Sequence, residues 1–340
     1  MRTKFACISH ECDVHKQKNT GVKKVKQKVL FLLMAVMLAV VATACGANNS
    51  KEASAPAAAK ESEEITVKHE LGETKLKKNP QKVVVFDFGV LDSMDKLGIE
   101  AIAVPQASVP SYLAKYKEAT YKNAGGIKEP DFEKINEMQP DLIVISARQK
   151  DAYKELSKIA PTIYMAIDTK NYMQSFTENM KTLGTIFGKE SAVEQELAAI
   201  NESIVKLKEK ATASGKNALI VLANEGKVSA YGPNSRFGII HDVFGVAPVD
   251  KGIEVSTHGQ SISFEYIAEK NPDYLFVIDR GAVVDGTSSA KQVIENDVVK
   301  NTKAFKNQNI VYLDPNYWYL SGGGLVSVSE MVKEVEKGLQ

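Results

Sequence analysis

Past residue 45 the chain holds 35 Lys and Arg, and only three of these are arginine: Arg148, Arg236 and Arg280. A chain that meets its solubility needs with lysine places its few arginines selectively. A planar guanidinium that stays charged can donate several hydrogen bonds to anionic oxygens. Arg148 and Arg280 each end an apolar run of strand length, in ISAR and VIDR. Ligands of open α/β sheets lie beyond the carboxyl ends of the strands, so both arginines can face one shared cleft. The competing role for each of the three is an ion pair with a neighbouring carboxylate, such as Asp279 beside Arg280, or a place on the open surface.

The only tryptophan, Trp318, lies between Tyr317 and Tyr319, after the last strand-like run and before Gly322, Gly323 and Gly324, where the final helix opens. There it can offer a flat apolar wall to a ring-bearing ligand, and sealing the interior of a second lobe is its competing role. Tyr231 and Phe237 flank Arg236 and divide in the same way between cleft and core. His258, in STHGQ, can hydrogen-bond a ligand oxygen, although a lone histidine more often serves as a structural partner. The other histidines past residue 45, His69 and His241, stand at no metal-ligating spacing from it, so capture of a bare metal ion is not expected. Ser261 or Ser263 with His258 would suit a hydrolase, but the G-x-S-x-G elbow is missing and no catalysis is expected. Asp87-Phe88-Gly89 spells a kinase motif without the accompanying loops; it reads as the first strand-to-helix turn, a candidate cleft wall.

Positioning these groups requires a frame, and the sequence repeats one. FEKINEMQPDLIVISAR (132–148) and FEYIAEKNPDYLFVIDR (264–280) share Phe, Glu, Ile, Glu, Pro, Asp and Arg in register. Each reads as a short amphipathic helix stopped by proline, then a continuous apolar strand of the kind buried in a parallel sheet. Further strand-like runs are Val83–Phe86, Ala101–Val104, Thr162–Met165, Ala218–Leu222 and Ile310–Leu313. The fold class is α/β, with two similar lobes, each a parallel-type sheet flanked by helices, over residues 65–170 and 214–340. Residues 171–213 form the helical connector. Within it Val193, Leu197, Ile200, Ile204 and Leu207 make one stripe of a helix over residues 190–212. At about 1.5 Å per residue that helix is long enough to cross from lobe to lobe.

Residues 1–45 read as a secretory segment. Lys23, Lys24, Lys26 and Lys28 precede the apolar run Val29–Ala42, too short to span a bilayer comfortably, and Thr43-Ala44-Cys45-Gly46 follows. Cys45 would carry a lipid. Residues 1–21 fit no part of this pattern, so a start near Val22 with an upstream extension is the expectation. Residues 46–64 are small and polar and suit a flexible tether. Cys7 and Cys12 precede the cleavage point, which leaves no thiol pair for a disulfide or iron–sulfur cluster. After residue 45, 35 basic groups face 40 acidic ones, a net charge near −5, which disfavours nucleic-acid binding.

The lipoprotein signal, the two lobes joined by one long helix, and the PDLIVIS and PDYLFVID strands resemble the siderophore- and corrinoid-binding proteins of ABC importers over nearly all of Ile65 to Gln340. KVVVFDFG, GGIKEPDFE, SRFGIIHDVFGVAP, STHGQSISFEYI and WYLSGGGL narrow the resemblance to binders of petrobactin and related catecholates. The resemblance implies a class III periplasmic-binding-protein fold. It further implies an extracytoplasmic lipoprotein, monomeric on the outer face of the cytoplasmic membrane, which hands a ferric siderophore to permease subunits without a cofactor and without breaking a bond. A haem or corrinoid ligand on the same fold is the alternative. Lys128, in GGIKEPDFE, joins Arg148, Arg236, Arg280, Trp318, Tyr231, Phe237 and His258 as a ligand contact through this resemblance. So do Glu133 and Glu265 as docking points for permease arginines; their competing role is to favour helix N-termini.

Overall fold

The structure, a computed structural model, describes residues 63–287 and 290–339. The signal segment, Cys45 and nearly all of the tether lie outside the described residues. An antiparallel hairpin, β1 (Glu64–His69) and β2 (Gly72–Lys77), leads into the first sheet. That sheet comprises β3 (Val83–Val85), β4 (Ala103–Val104), β5 (Lys122–Asn123), β6 (Leu142–Ile145) and β7 (Thr162–Tyr164), in the order β5-β4-β3-β6-β7 and parallel throughout. Helix α1 (Phe88–Lys96) follows β3, and α2 (Phe132–Met138) precedes β6.

Two helices then cross the molecule, α3 (Tyr172–Phe187) and α4 (Glu190–Ser214). The sequence stripe of α4 is buried in full, from Val193 to Leu207, and its end is set by Gly215 in the left-handed region at φ +63°. The second sheet holds β8 (Asn217–Asn224), β9 (Lys227–Tyr231), β10 (Ala247–Pro248), β11 (Gln260–Ile262), β12 (Tyr274–Asp279) and β13 (Ile310–Leu313), with α5 (Phe264–Lys270) before β12 and α6 (Leu325–Gly338) last. Its order is β11-β9-β8-β12-β13, with β10 beside the start of β8.

Only β8, β10, β12 and β13 run parallel there; β9 turns back antiparallel on β8, and β11 antiparallel on β9. The second sheet is therefore mixed, not purely parallel. The reversal comes from a two-residue turn in which Glu225 and Gly226 both take positive φ, 50° and 75°, a twist that suits a tight hairpin.

The repeat copies fold alike. Asp131 and Ser263 cap α2 and α5 by accepting the N–H of Lys134 and Tyr266. Gln139 and Asn271 end the helices in the left-handed region (φ 47° and 44°) just before Pro140 and Pro272. The strands that follow, β6 and β12, are buried on both faces and occupy the same place in their sheets, between the first strand of the lobe and the last.

Side-chain alternation along them assigns two layers of core. Leu142 and Val144 of β6, with Tyr274, Phe276 and Ile278 of β12, face one inner core that runs through α3, α4 and α6 from sheet to sheet. Ile143 and Ile145 face a separate outer core of the first lobe, and Leu275 and Val277 one of the second. The two sheets accordingly lie in one compact unit, Glu61–Gln340.

Candidate functional site

Between the sheets lies a cavity of about 600 Å³ walled by both lobes. The first lobe contributes residues that follow its strands: Asp87 after β3, Ser146 to Arg148 after β6, and Ala166, Ile167 and Thr169 after β7. From the second come Arg236, the stretch Val255–His258 leading into β11, and Trp318–Leu320 after β13. The lobes also bond directly: the Thr169 hydroxyl donates to Asn234 O (3.0 Å), and Ser111 N–H donates to Asn316 Oδ1 (3.0 Å).

One residue organises the charge in this cavity, and it is Tyr319. Its backbone oxygen accepts from Arg148 Nη2 (2.8 Å) of the first lobe and from Arg236 Nη2 (2.5 Å) of the second. Its phenol oxygen accepts from Arg280 Nε (3.0 Å). The guanidinium of Arg236 lies 4.3 Å from the Tyr319 ring centre, and those of Arg280 and Arg148 lie 5.9 and 6.0 Å away, so the ring sits among three cations. All three arginines foreseen from sequence meet at a residue that sequence noted only as the neighbour of Trp318. Tyr319 stands on a π-helical turn, Asn316–Leu320, a geometry often found at functional positions.

The electrostatics follow from this crowding. Burial alone would push the Tyr319 phenol up, but the hydrogen bond from Arg280 and the charges of Arg236, Arg280 and Arg148 outweigh it and leave the phenol below its ordinary value. Burial, and after it the like charge of Arg148, lowers Arg236, which stays charged at neutral pH all the same. Arg280 is not itself a wall of the cavity. It donates to Asn224 Oδ1 (2.5 Å) as well as to Tyr319, and its nearest carboxylate is Asp285 at 3.8 Å. Asp279 caps the following turn by accepting from Ala282 and Ala290 N–H.

Of the aromatic expectations, Trp318 does line the cavity, whereas Tyr231 and Phe237 need correction. Trp318 is 2% exposed, and its indole Nε1 donates to Glu334 Oε2 (2.7 Å) on α6; it closes the base of the cavity and seals the interior. Tyr231 and Phe237 are each 1% exposed and pack against one another with ring centres 4.6 Å apart, so they form core beneath Arg236 and are not walls of the cavity. Tyr231 ends β9 and Phe237 follows Arg236 in the loop beyond it, and both rings belong to the common inner core. Lys128 and His258 are exposed at the rim and do line the cavity. Tyr172, whose buried hydroxyl finds no partner among the described residues, lines it too; so do Ile167 and the half-exposed Val255. Sequence gave no warning of these three, because their placement depends on how the lobes meet.

Glu133 and Glu265 are exposed, each the second residue of its helix, α2 and α5. Hydrogen bonding to its own backbone N–H and to the Ser263 hydroxyl holds the Glu265 carboxyl below its ordinary value. Among the described residues no group of three or more His, Cys, Asp or Glu side chains is arranged to hold a metal ion, and no helix is long and apolar enough to cross a membrane.

Two sheets facing one cavity across a long helix define a class III binding protein, and the sequence agrees: residues 83–317 match the family of periplasmic binding proteins, to which this chain belongs. It is 54% identical over 318 residues to the petrobactin-binding protein YclQ of Bacillus subtilis (strain 168), covering 92% of this chain and 99% of that one. The crystal structure of YclQ superposes with a TM-score of 0.80 at 57% identity, over 82% of this chain and 99% of that one. The periplasmic catecholate-siderophore binding protein VctP of Vibrio cholerae superposes with a TM-score of 0.77 at 40% identity, over 81% of this chain and the whole of the other. The ferric-anguibactin-binding protein FatB of Vibrio anguillarum is 33% identical over 286 residues, 81% of this chain and 88% of that one.

Proposed function

We propose that this chain is the extracytoplasmic binding component of an ABC importer and that it captures a ferric catecholate siderophore of the petrobactin kind in the cavity between its lobes. The observation that carries the reading is the convergence of Arg148, Arg236 and Arg280 on Tyr319 at the cavity wall. A ferric catecholate presents several anionic oxygens and flat rings. Guanidinium groups already held at one carbonyl and one phenol can turn to those oxygens with little further ordering, which is the usual source of gain from preorganisation. Ile167, Val255 and the Tyr319 ring supply apolar surface beside them. A cavity of this size lies within the range that encloses a small ligand. A nanomolar dissociation constant corresponds to about −12 kcal/mol, which a few desolvated charge-assisted contacts plus ring stacking can supply.

Lys128 and His258 close the rim over the bound complex. Glu133 and Glu265, one on each lobe, dock against arginines of the permease, and Cys45 carries the lipid that keeps the monomer at the outer face of the membrane. No bond is broken and no cofactor resides in the protein; iron enters and leaves inside its chelator. Quenching of the single tryptophan tests the reading. Ferric petrobactin should quench Trp318 with a dissociation constant in the nanomolar range, iron-free petrobactin more weakly, and haem and cobalamin not at all. Tight saturable binding of haem or cobalamin without binding of ferric petrobactin would transfer the function to that ligand.

A further inference from the structure

Asp92 is a carboxylate that does not line the cavity, yet it is completely buried. It lies on α1, in the first lobe, and apart from Tyr112 of the same lobe its hydrogen-bond partners on other elements belong to the start of α6. Oδ2 accepts from Ser327 N–H (3.0 Å) and from the Tyr112 hydroxyl (2.9 Å), and Oδ1 accepts from Val326 N–H (3.2 Å). The adjacent Ser93 Oγ accepts from Leu325 N–H (2.9 Å). Three successive backbone donors at the start of α6, which no turn of that helix can satisfy, are thus taken up by α1.

An ordinary helix supplies its own cap, but here the capping position is Gly324, which has no side chain to offer. Its lack of one is what lets Asp92 in. A Cβ on Gly324 would stand 2.1 Å from Asp92 Oδ1 and 2.3 Å from Gly89 O, and a Cβ on Gly89 would stand 2.7 Å from Ser321 O. Only Leu320 to Gly324 separate this cap from Tyr319, and Ser327 Oγ ties the same stretch to itself by donating to Ser321 O (2.8 Å). Trp318, one residue before Tyr319, is pinned to α6 through Glu334.

We infer that Asp92, with Ser93, is a positioning residue for ligand capture: from the first lobe it fixes the start of α6, and so sets where the second lobe presents Tyr319 and the guanidinium groups gathered on it. The inference rests on the interlobe cavity being the ligand site. Without the carboxylate, the buried Ser327 N–H, the part-buried Val326 N–H and the Tyr112 hydroxyl lose their acceptor, and α6 must shift until they find another. Hydrogen bonds weaken steeply with distance and angle, so a small displacement at Tyr319 disturbs all three arginines.

The test compares wild type with Asp92→Ala, Asp92→Asn and a control, Leu183→Ala, which empties a buried position of α3 in the same inner core. Affinity for ferric petrobactin, thermal midpoint, and Trp318 emission of ligand-free protein are read for each. Asp92→Ala should weaken binding by at least about tenfold and shift Trp318 emission to the red, with Asp92→Asn intermediate because one oxygen remains. Leu183→Ala should lower the midpoint yet keep affinity within about twofold and leave the emission in place. Wild-type affinity in Asp92→Ala, or an equal loss in Leu183→Ala, overturns the inference. If Asp92→Ala does not fold, Asp92→Asn and Ser93→Ala are judged by the same criterion. Should wild type itself fail to bind ferric petrobactin, the proposed function falls, while unchanged Trp318 emission in the Asp92 variants overturns the positioning role whatever the ligand.

Discussion

The two copies of the repeat share their helix, their left-handed stop and their buried strand, and they part company within three residues of the strand's end. After β6 the chain continues through Ser146 and Ala147, so Arg148 stands in the cavity wall and reaches across to the other lobe at Tyr319 O. After β12 Arg280 comes at once, opens a short helix, and acts on Tyr319 from behind through its phenol. Beyond the repeat the lobes differ further. The antiparallel ribbon of β9 and β11 exists only in the second, and its flanking loops bring Arg236 and His258 to the cavity. Duplication has supplied a frame in which the ends of two strands face each other; the binding chemistry lies in what each copy appended to it.

The comparison is broken most severely at the surface positions where the copies remain equivalent. Exchanging both Glu133 and Glu265 for alanine should abolish siderophore uptake in cells while leaving ferric petrobactin affinity within about twofold, since neither residue touches the cavity. Uptake at the wild-type rate would show that the shared position is no more than a preference of helix N-termini for acidic groups.

Within the cavity the asymmetry should appear as unequal losses. Arg236→Ala, which removes the cation closest to the Tyr319 ring, should cost about a hundredfold in affinity, and Arg148→Ala and Arg280→Ala about tenfold each. The two copies separate in a double-mutant cycle with Tyr319→Phe. Arg280 should couple to the phenol by about 1 kcal/mol or more, whereas Arg148, bonded to the backbone oxygen, should be nearly additive with it. Equal coupling would mean that the arginines of the two copies act alike.

The smallest effect concerns a group found in one lobe only. Burial pushes the Asp92 carboxyl up to about 7, against the pull of the Ser327, Tyr112 and Val326 donors. The folded state thus holds that proton more tightly than the unfolded chain, so this contribution to stability is complete below about pH 4 and is lost as pH rises through about 7. Denaturant unfolding at pH 5 and pH 8 should show the stability difference moving in favour of Asp92→Asn at the higher pH, and a difference independent of pH would remove Asp92 as the titrating group.

Much of this architecture was legible because apolar runs and helix stops are local. The strands Leu142–Ile145 and Ile310–Leu313 were found at their true bounds, and the stripe of α4 is buried as its spacing required. The hairpin of β1 and β2 escaped because its strands alternate mostly charged residues with few apolar ones. The core of β8 is legible at Ala218–Leu222, but β9 escaped although Glu225-Gly226 is a readable two-residue turn. In the site, the arginines stood out by their scarcity. Their meeting point did not, because two of them bind a backbone oxygen, which no side-chain pattern can announce. Asp92 was hidden for a similar reason: in FGVLDSMDK it looks like any acidic residue of an amphipathic helix, and only the close approach permitted by Gly89 and Gly324 buries it.

The inner core that passes unbroken from one sheet to the other has a consequence for the history of such a molecule. Either half on its own would leave the apolar flank of the crossing helices in water, so neither can have been reshaped as a free-standing module once the pairing was made. Change is then confined to the outer layers and to the loops at the strand tips, where a new ligand can be accommodated without disturbing the seam.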